Sequence, residues 1–238
     1  MAVATPERQA AVEVVDLEQT PLRELNQRLH ELARAPGPSA WRIVNPSGAH
    51  AVACGLDADI EVEIEGHVGY YCAGMNKRAS VFVRGNASTG VAENLMSGLV
   101  VVDGNVSQSA GATGHGGLLV VRGDASARCG ISMKGIDIVV GGSVGHMSAF
   151  MAQTGCLVVC GDAGEALGDS IYEARLYVHG SIASLGADCV EKEVRDEHRT
   201  QLASLLEAAG MDVAPSDFRR YGSARQLYNF HIDHAGSY

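Results

Sequence analysis

Aromatic residues make up only 5 % of the 238 positions, and the chain has a single Trp, Trp41. So few rings fit poorly with a helical or doubly wound domain. Positive charge is also short. Eighteen Lys and Arg stand against 28 Asp and Glu, a net charge of −10, which argues against a nucleic-acid partner. No apolar run reaches membrane-spanning length and nothing resembles a signal peptide, so a cytoplasmic protein with no membrane partner is expected. The six cysteines, Cys54, Cys72, Cys129, Cys156, Cys160 and Cys189, form no CxxC pair. Neither a zinc site nor a cluster-binding run is indicated, and they read as free thiols.

Glycine, by contrast, is abundant, with 29 residues, and seven of them keep time. Gly66, Gly85, Gly104, Gly123, Gly142, Gly161 and Gly180 are spaced nineteen residues apart without an insertion. A fixed period of this size marks a repeat architecture. Four positions before each glycine stands Val62, Val81, Val100, Leu119, Ile138, Leu157 or Leu176, and two positions before it Ile64 or a valine. Apolar residues two apart share one face of a strand. Nineteen residues hold a strand and its turns but no helical crossover, so the spacing predicts an all-β, single-stranded parallel β-helix. Seven coils at about 4.8 Å each give a rod roughly 30 Å long. Two positions after the glycine, Val68, Ala87, Val106, Ala125, Val144, Ala163 and Ile182 alternate large and small, which lets layers interlock. The residue directly after the glycine is small and polar in most coils, as turns favour. These glycines are expected where φ is positive or where coils crowd.

Three parts follow: an N-terminal arm and lead-in coil (1–58), the β-helix (59–186), and a C-terminal helix with an aromatic tail (187–238). In the arm, the Val12–Val15 run reads as irregular or as an edge strand. Thr20 and Pro21 suit the start of a helix over about 21–34, with Leu22, Leu25, Leu29 and Leu32 on one face. That helix either packs on its own rod, closing an open end, or reaches a partner. The segment from Trp41 to Ala53 is expected to be an irregular lead-in coil. From Ala187 to Ala209 the pattern reads as a charged helix stopped by Gly210, with Val190, Val194, Leu202, Leu205 and Leu206 as its stripe. Pro215 follows.

Outward strand positions carry two further columns. Glu65, Arg84, Asp103 and Arg122 alternate in sign from coil to coil. Phe82, Val101, Val120, Val139, Val158 and Tyr177 are six successive apolar residues that should not face water. They must be covered by the terminal helices or by a partner. With the tail aromatics Phe218, Tyr221, Tyr228 and Phe230, they are the candidate interface.

Groupings that could carry chemistry are weak. His231 and His234 lack a third ligand. Gly111, Gly114, Gly116 and Gly117 lack the lysine–serine pair and the strand–loop–helix context of a phosphate loop, and read as coil turns. Asp162 and Glu165 offer carboxylates, but Asp162 belongs to the turn column. Cys156 and Cys160, about 13 Å apart if extended, cannot form a disulfide. No catalytic, metal or cofactor-binding residue is therefore assigned to this chain.

The repeated strand–Gly–[Asn/Asp/Ser]–[Val/Ala] unit, over roughly Asp59 to Gly186, resembles the glycine-repeat (GXGXG) domain that ends the large subunit of glutamate synthase. The flanks Thr20-Pro-Leu-Arg-Glu-Leu-Asn26, Arg220-Tyr-Gly-Ser-Ala-Arg225 and Leu227-Tyr-Asn-Phe230 are similar to its stand-alone form, the small β-helix subunit of N-methylglutamate synthase. The uninterrupted Gly-x-Gly-x-Gly string is absent, although the register of the glycines is kept. The resemblance implies a right-handed parallel β-helix that carries no chemistry of its own. It would sit in a hetero-oligomer with a glutamine-amidotransferase-like subunit and a synthase-like subunit carrying FMN and an iron–sulfur cluster. Competing expectations are a scaffold of the formylmethanofuran-dehydrogenase type and a stand-alone β-helix enzyme.

Overall fold

The computed structural model describes residues 12–35 and 37–226. The glycine-paced strands stack as the spacing requires. They are β3 (Glu61–Glu65), β4 (Ser80–Val83), β5 (Leu99–Val102), β6 (Leu118–Val121), β7 (Lys134–Val140), β8 (Thr154–Val159) and β9 (Arg175–Val178). Each pairs in parallel with the next, so Val62, Val81, Val100 and Leu119 are direct neighbours, as are Ile64, Val83, Val102 and Val121. These inward columns are buried throughout and form the central core of the solenoid. A second side of each coil is a single bridge, running from Val68 through Ala87, Val106, Ala125, Val144 and Ala163 to Ile182. The alternating column is thus a stacked one, buried from Val68 to Ala163 and half-buried at Ile182.

The third side was not read from the sequence. It places every second residue in the left-handed region: Tyr71, Ala73 and Met75 in one coil, Gly90, Ala92 and Asn94 in the next, and Met147, Ala149 and Met151 further on. Their N–H groups point up and down the stack in turn. Tyr71 donates to Thr89 O and Met75 to Glu93 O in the following coil, while Ala73 donates to Val52 O in the preceding one. The backbone is therefore satisfied without a regular strand. A left-handed residue with a side chain costs roughly 1–2 kcal/mol, offset by hydrogen bonds to both neighbouring coils.

The sheet extends beyond the regular repeat. β1 (Val12–Asp16) is an edge strand parallel to β2 (Ala40–Val44), which pairs with β3 in register. The start of the expected irregular lead-in is therefore a regular strand, with Trp41 against Val62 and Ile43 against Ile64. α1 (Leu22–Glu31) connects β1 to β2, and Leu25 and Leu29 are fully buried in the core. Pro21, rather than Thr20, occupies the cap, and no side chain caps the helix. The Asn26 side chain donates to Ala51 O and accepts from Ala53 N–H, and a ring nitrogen of His30 lies 2.7 Å from Cys54 O. α1 thus takes the place of a preceding coil and closes that end of the rod.

At the other end, Cys189–Lys192 is a strand, β10, and the helix expected from Ala187 starts only at Asp196. α2 (Asp196–Ala209) ends at Gly210, which is left-handed as a helix stop requires. Val190 and Val194 are thus not on its stripe. A 3-10 turn (Pro215–Asp217) leads into β11 (Arg219–Ser223), which runs antiparallel between β9 and β10. No helix among the described residues is long and apolar enough to cross a membrane.

Candidate interaction surfaces and a polar cleft

The outward apolar column has its cover within the chain. Val101, Val120, Val139, Val158 and Tyr177 are buried under α2, which turns Leu202, Leu206 and Ala209 onto them, with Phe218 in the same cluster. Of the two covers expected for these candidate interface residues, a terminal helix or a partner, the structure shows the helix: spacing of four and three on α2 presents an apolar stripe that fits the strand face. Tyr221 is buried in the central core, and only Phe82 stays half-buried at the margin, beneath the Arg84 guanidinium at 5.6 Å. Tyr228, Phe230, His231 and His234 lie outside the described residues.

The charged column forms a ladder. Arg84 bridges Glu63 at 2.7 Å and Asp103 at 3.1 Å, and Arg122 follows Asp103 at 3.7 Å. The guanidinium of Arg84 holds the Glu63 carboxyl below its ordinary range. Glu65 pairs instead with Arg42 at 3.3 Å. Arg122 also donates to Ala209 O at 3.2 Å, supplying a cation to the carbonyl end of α2, whose last turn has none of its own.

The timed glycines obey crowding, not backbone sign. Apart from Gly66, with φ +132°, none of the seven has positive φ. A methyl group on Gly104 would lie 2.1 Å from Asn86 Oδ1, on Gly123 2.2 Å from Asn105 Oδ1, and on Gly142 2.1 Å from Asp124 Oδ1. Those oxygens are occupied. Asn86 Oδ1 accepts from Asn105 N–H, Asn105 Oδ1 from Asp124 N–H, Asp124 Oδ1 from Ser143 N–H, and Asp162 Oδ1 from Ser181 N–H. The polar residue after each glycine therefore stitches one coil to the next, and the glycine leaves room for it.

Large side chains remain open on the left-handed side. Tyr70, Tyr71, Met75, Met96 and Met151 are each 40 % exposed or more, and His50 stacks on Tyr70 at 4.4 Å.

Among the described residues no three His, Cys, Asp or Glu side chains converge as metal ligands. The cysteines are all free thiols. Burial pushes Cys129, Cys156 and Cys189 up to about 12 and Cys160 to about 11. The Gly111–Gly117 loop leads into β6 with no helix after it, and Gly111 and Gly117 are left-handed turn positions. Asp162 is committed to the coil-to-coil stitch, accepting from the Ser181 N–H and hydroxyl.

Beside α2 lies a polar cleft of about 880 Å³ that sequence reasoning did not find. Its floor is the register row Asp137–Cys156–Arg175, in the middle of β7, within β8 and at the start of β9. β7 carries a bulge there, between Lys134 and Asp137. Its walls come from the first turns of α2 and from β11. Arg175 Nη1 donates to Gln201 Oε1 at 2.7 Å, and Arg220 Nη1 to Glu193 O at 2.8 Å. His198 Nδ1 accepts from Arg195 N–H, and burial with the nearby Arg220 lowers the imidazole's pKa. Burial raises Asp137, partly offset by the Cys156 N–H it accepts. Burial also pushes Tyr177 to about 12. The residues come from five separate stretches, and only the fold assembles them.

The architecture defines a single-stranded parallel β-solenoid, closed at one end by α1 and covered on its outward sheet face by α2. Among curated proteins, Protein GlxC of Rhizobium meliloti (strain 1021) is 61 % identical over 226 residues, spanning 94 % of this chain and 99 % of that protein. The chain belongs to the GlxC family. No family model matches it, and no solved structure does.

Proposed function

We propose that this protein is a structural subunit of a glutamate-synthase-like assembly, most specifically one of the N-methylglutamate synthase type. Such an assembly makes N-methylglutamate from glutamate and methylamine with release of ammonia. The chain would hold a glutamine-amidotransferase-like subunit and an FMN and iron–sulfur subunit in place, in the cytoplasm. The observation that carries this reading is the uninterrupted stack: all inward columns are aliphatic and buried, and each coil is stitched to the next, which gives a stiff spacer. The similarity of the repeat and of both flanks to the small subunit supports the choice of assembly. The flavin and cluster are assigned to a partner, as the resemblance implies; among the described residues no set of cysteines converges to hold a cluster. With the outward sheet face taken by α2, the open Tyr70, Tyr71 and Met75 cluster is the surface assigned to partners. Affinity purification from the native host, with identification of the bound chains and a flavin spectrum, tests the proposal. Turnover of glutamate and methylamine by the isolated chain contradicts it, as does co-purification with partners of another class.

A further inference from the structure

The cleft beside α2 holds more positive charge than its own carboxylates neutralise. Its lining side chains include five Lys or Arg and four Asp or Glu, on a chain of net charge −10. Two pairs are internal, Arg225–Glu173 at 2.8 Å and Arg195–Glu193 at 3.3 Å. Arg175, Arg220 and Lys192 are left facing Asp137 and Glu197. A guanidinium has five N–H donors. Among the described residues Arg175 gives one to the neutral Gln201 amide and Arg220 one to a backbone carbonyl, and neither is ion-paired. Arg220 Nε is buried with no hydrogen-bond partner, a rare state for a donor inside a folded protein. Burial, with Arg175 and Arg195 nearby, lowers the pKa of Arg220 despite the opposing pull of Glu197 and Tyr177. The register of β7 against β8 shifts between Lys134 and Asp137, beside this floor, and bulges recur next to sites.

We propose that this cleft binds the carboxylate group of a small organic anion, held between the guanidinium groups of Arg175 and Arg220. Planar guanidinium matches planar carboxylate through paired N–H bonds. The single surplus positive charge suits a monoanionic group. A compact dianion such as phosphate would also meet Asp137 and Glu197, whereas those two carboxylates can accept from an ammonium or hydroxyl elsewhere on a carboxylate ligand. Every residue the argument uses belongs to this chain, so the inference is independent of the assembly proposed above.

The test is calorimetric titration of the full-length chain at constant ionic strength with lactate, glutamate and inorganic phosphate. Saturable binding of either carboxylate is expected, with phosphate at least 10-fold weaker. Arg175→Gln and Arg220→Gln should each weaken that binding at least 10-fold, while Arg84→Gln, in the charge ladder, leaves it unchanged. If Arg220→Gln does not fold, Arg175→Gln decides, since Arg175 is exposed and its hydrogen bond is to a side chain. Absence of saturable binding by both carboxylates, phosphate binding at least as tightly, or full affinity in Arg175→Gln overturns the proposal.

Discussion

Gly123→Ala asks the backbone for no new φ, yet it should be among the more damaging single-methyl additions in the rod. The added carbon would stand 2.2 Å from Asn105 Oδ1 and 2.9 Å from Gly104 O. Asn105 must rotate away, which breaks its bond to Asp124 N–H, 2.8 Å long, at about 0.5–1.5 kcal/mol. Gly104 is backbone and cannot rotate, so the two coils must part slightly. Overpacking of that kind costs about 1–3 kcal/mol. Against these stands a gain of about 0.4–1 kcal/mol from a stiffer unfolded chain. The net is roughly 1–4 kcal/mol of destabilisation. The distinctive part is the coupling. Asn105→Ala removes the same bond, so the double variant loses it only once and should be about 0.5–1.5 kcal/mol more stable than the two single losses summed. Urea unfolding followed by circular dichroism measures all four corners of the cycle. A neutral Gly123→Ala, or strictly additive losses, would refute the idea that glycine and asparagine form one device.

Met75→Gly should be neutral or stabilise by up to about 1 kcal/mol, because Met75 is left-handed (φ 56°) and 56 % exposed, so strain is relieved with little packing lost; a clear drop in urea midpoint contradicts this. Leu206→Ala, beneath α2, should cost about 2–5 kcal/mol and raise dye binding to the uncovered valine face, read by thermal melting and by fluorescence of a hydrophobic dye. Asp162 is held below its ordinary pKa of 3.8 by the Ser181 N–H and hydroxyl. Its stabilising contribution is therefore present above about pH 4 and is lost as pH falls through the depressed folded value. Asp162→Asn keeps an acceptor oxygen, so its melting temperature should fall less steeply below pH 4 than that of the unaltered chain. Thiol labelling at pH 8 should be slow at Cys129, which is buried and lifted to about 12, and become fast only on unfolding.

The strand columns were legible because burial at one point of a period admits one class of residue, so Val62, Val81 and Val100 announce each other. The glycines were legible as a register, but their reason, room for the asparagine of the previous coil, needed three dimensions. The left-handed side was invisible: Tyr71, Met75, Arg128 and Met147 have no local preference for that region and are held there by neighbouring coils. Cys189–Lys192 misled because Val190 and Val194 fall four apart, a helical spacing occupied here by a strand and its exit. The demand for cover over Val101 to Tyr177 was readable, and the identity of the cover was not, since nothing local ties α2 to a strand nearly a hundred residues earlier. The cleft was hidden for the same reason.

A parallel stack has no built-in length, because every coil offers the next the edge it was itself offered. β11 ends this regress by running backwards along β9. The edge beyond it, β10, no longer presents the valine-faced template that β3 to β9 pass along, and a second molecule cannot continue the sequence of coils. A single turnaround strand thus fixes the dimension of the rod and keeps a self-complementary repeat from growing into a fibre.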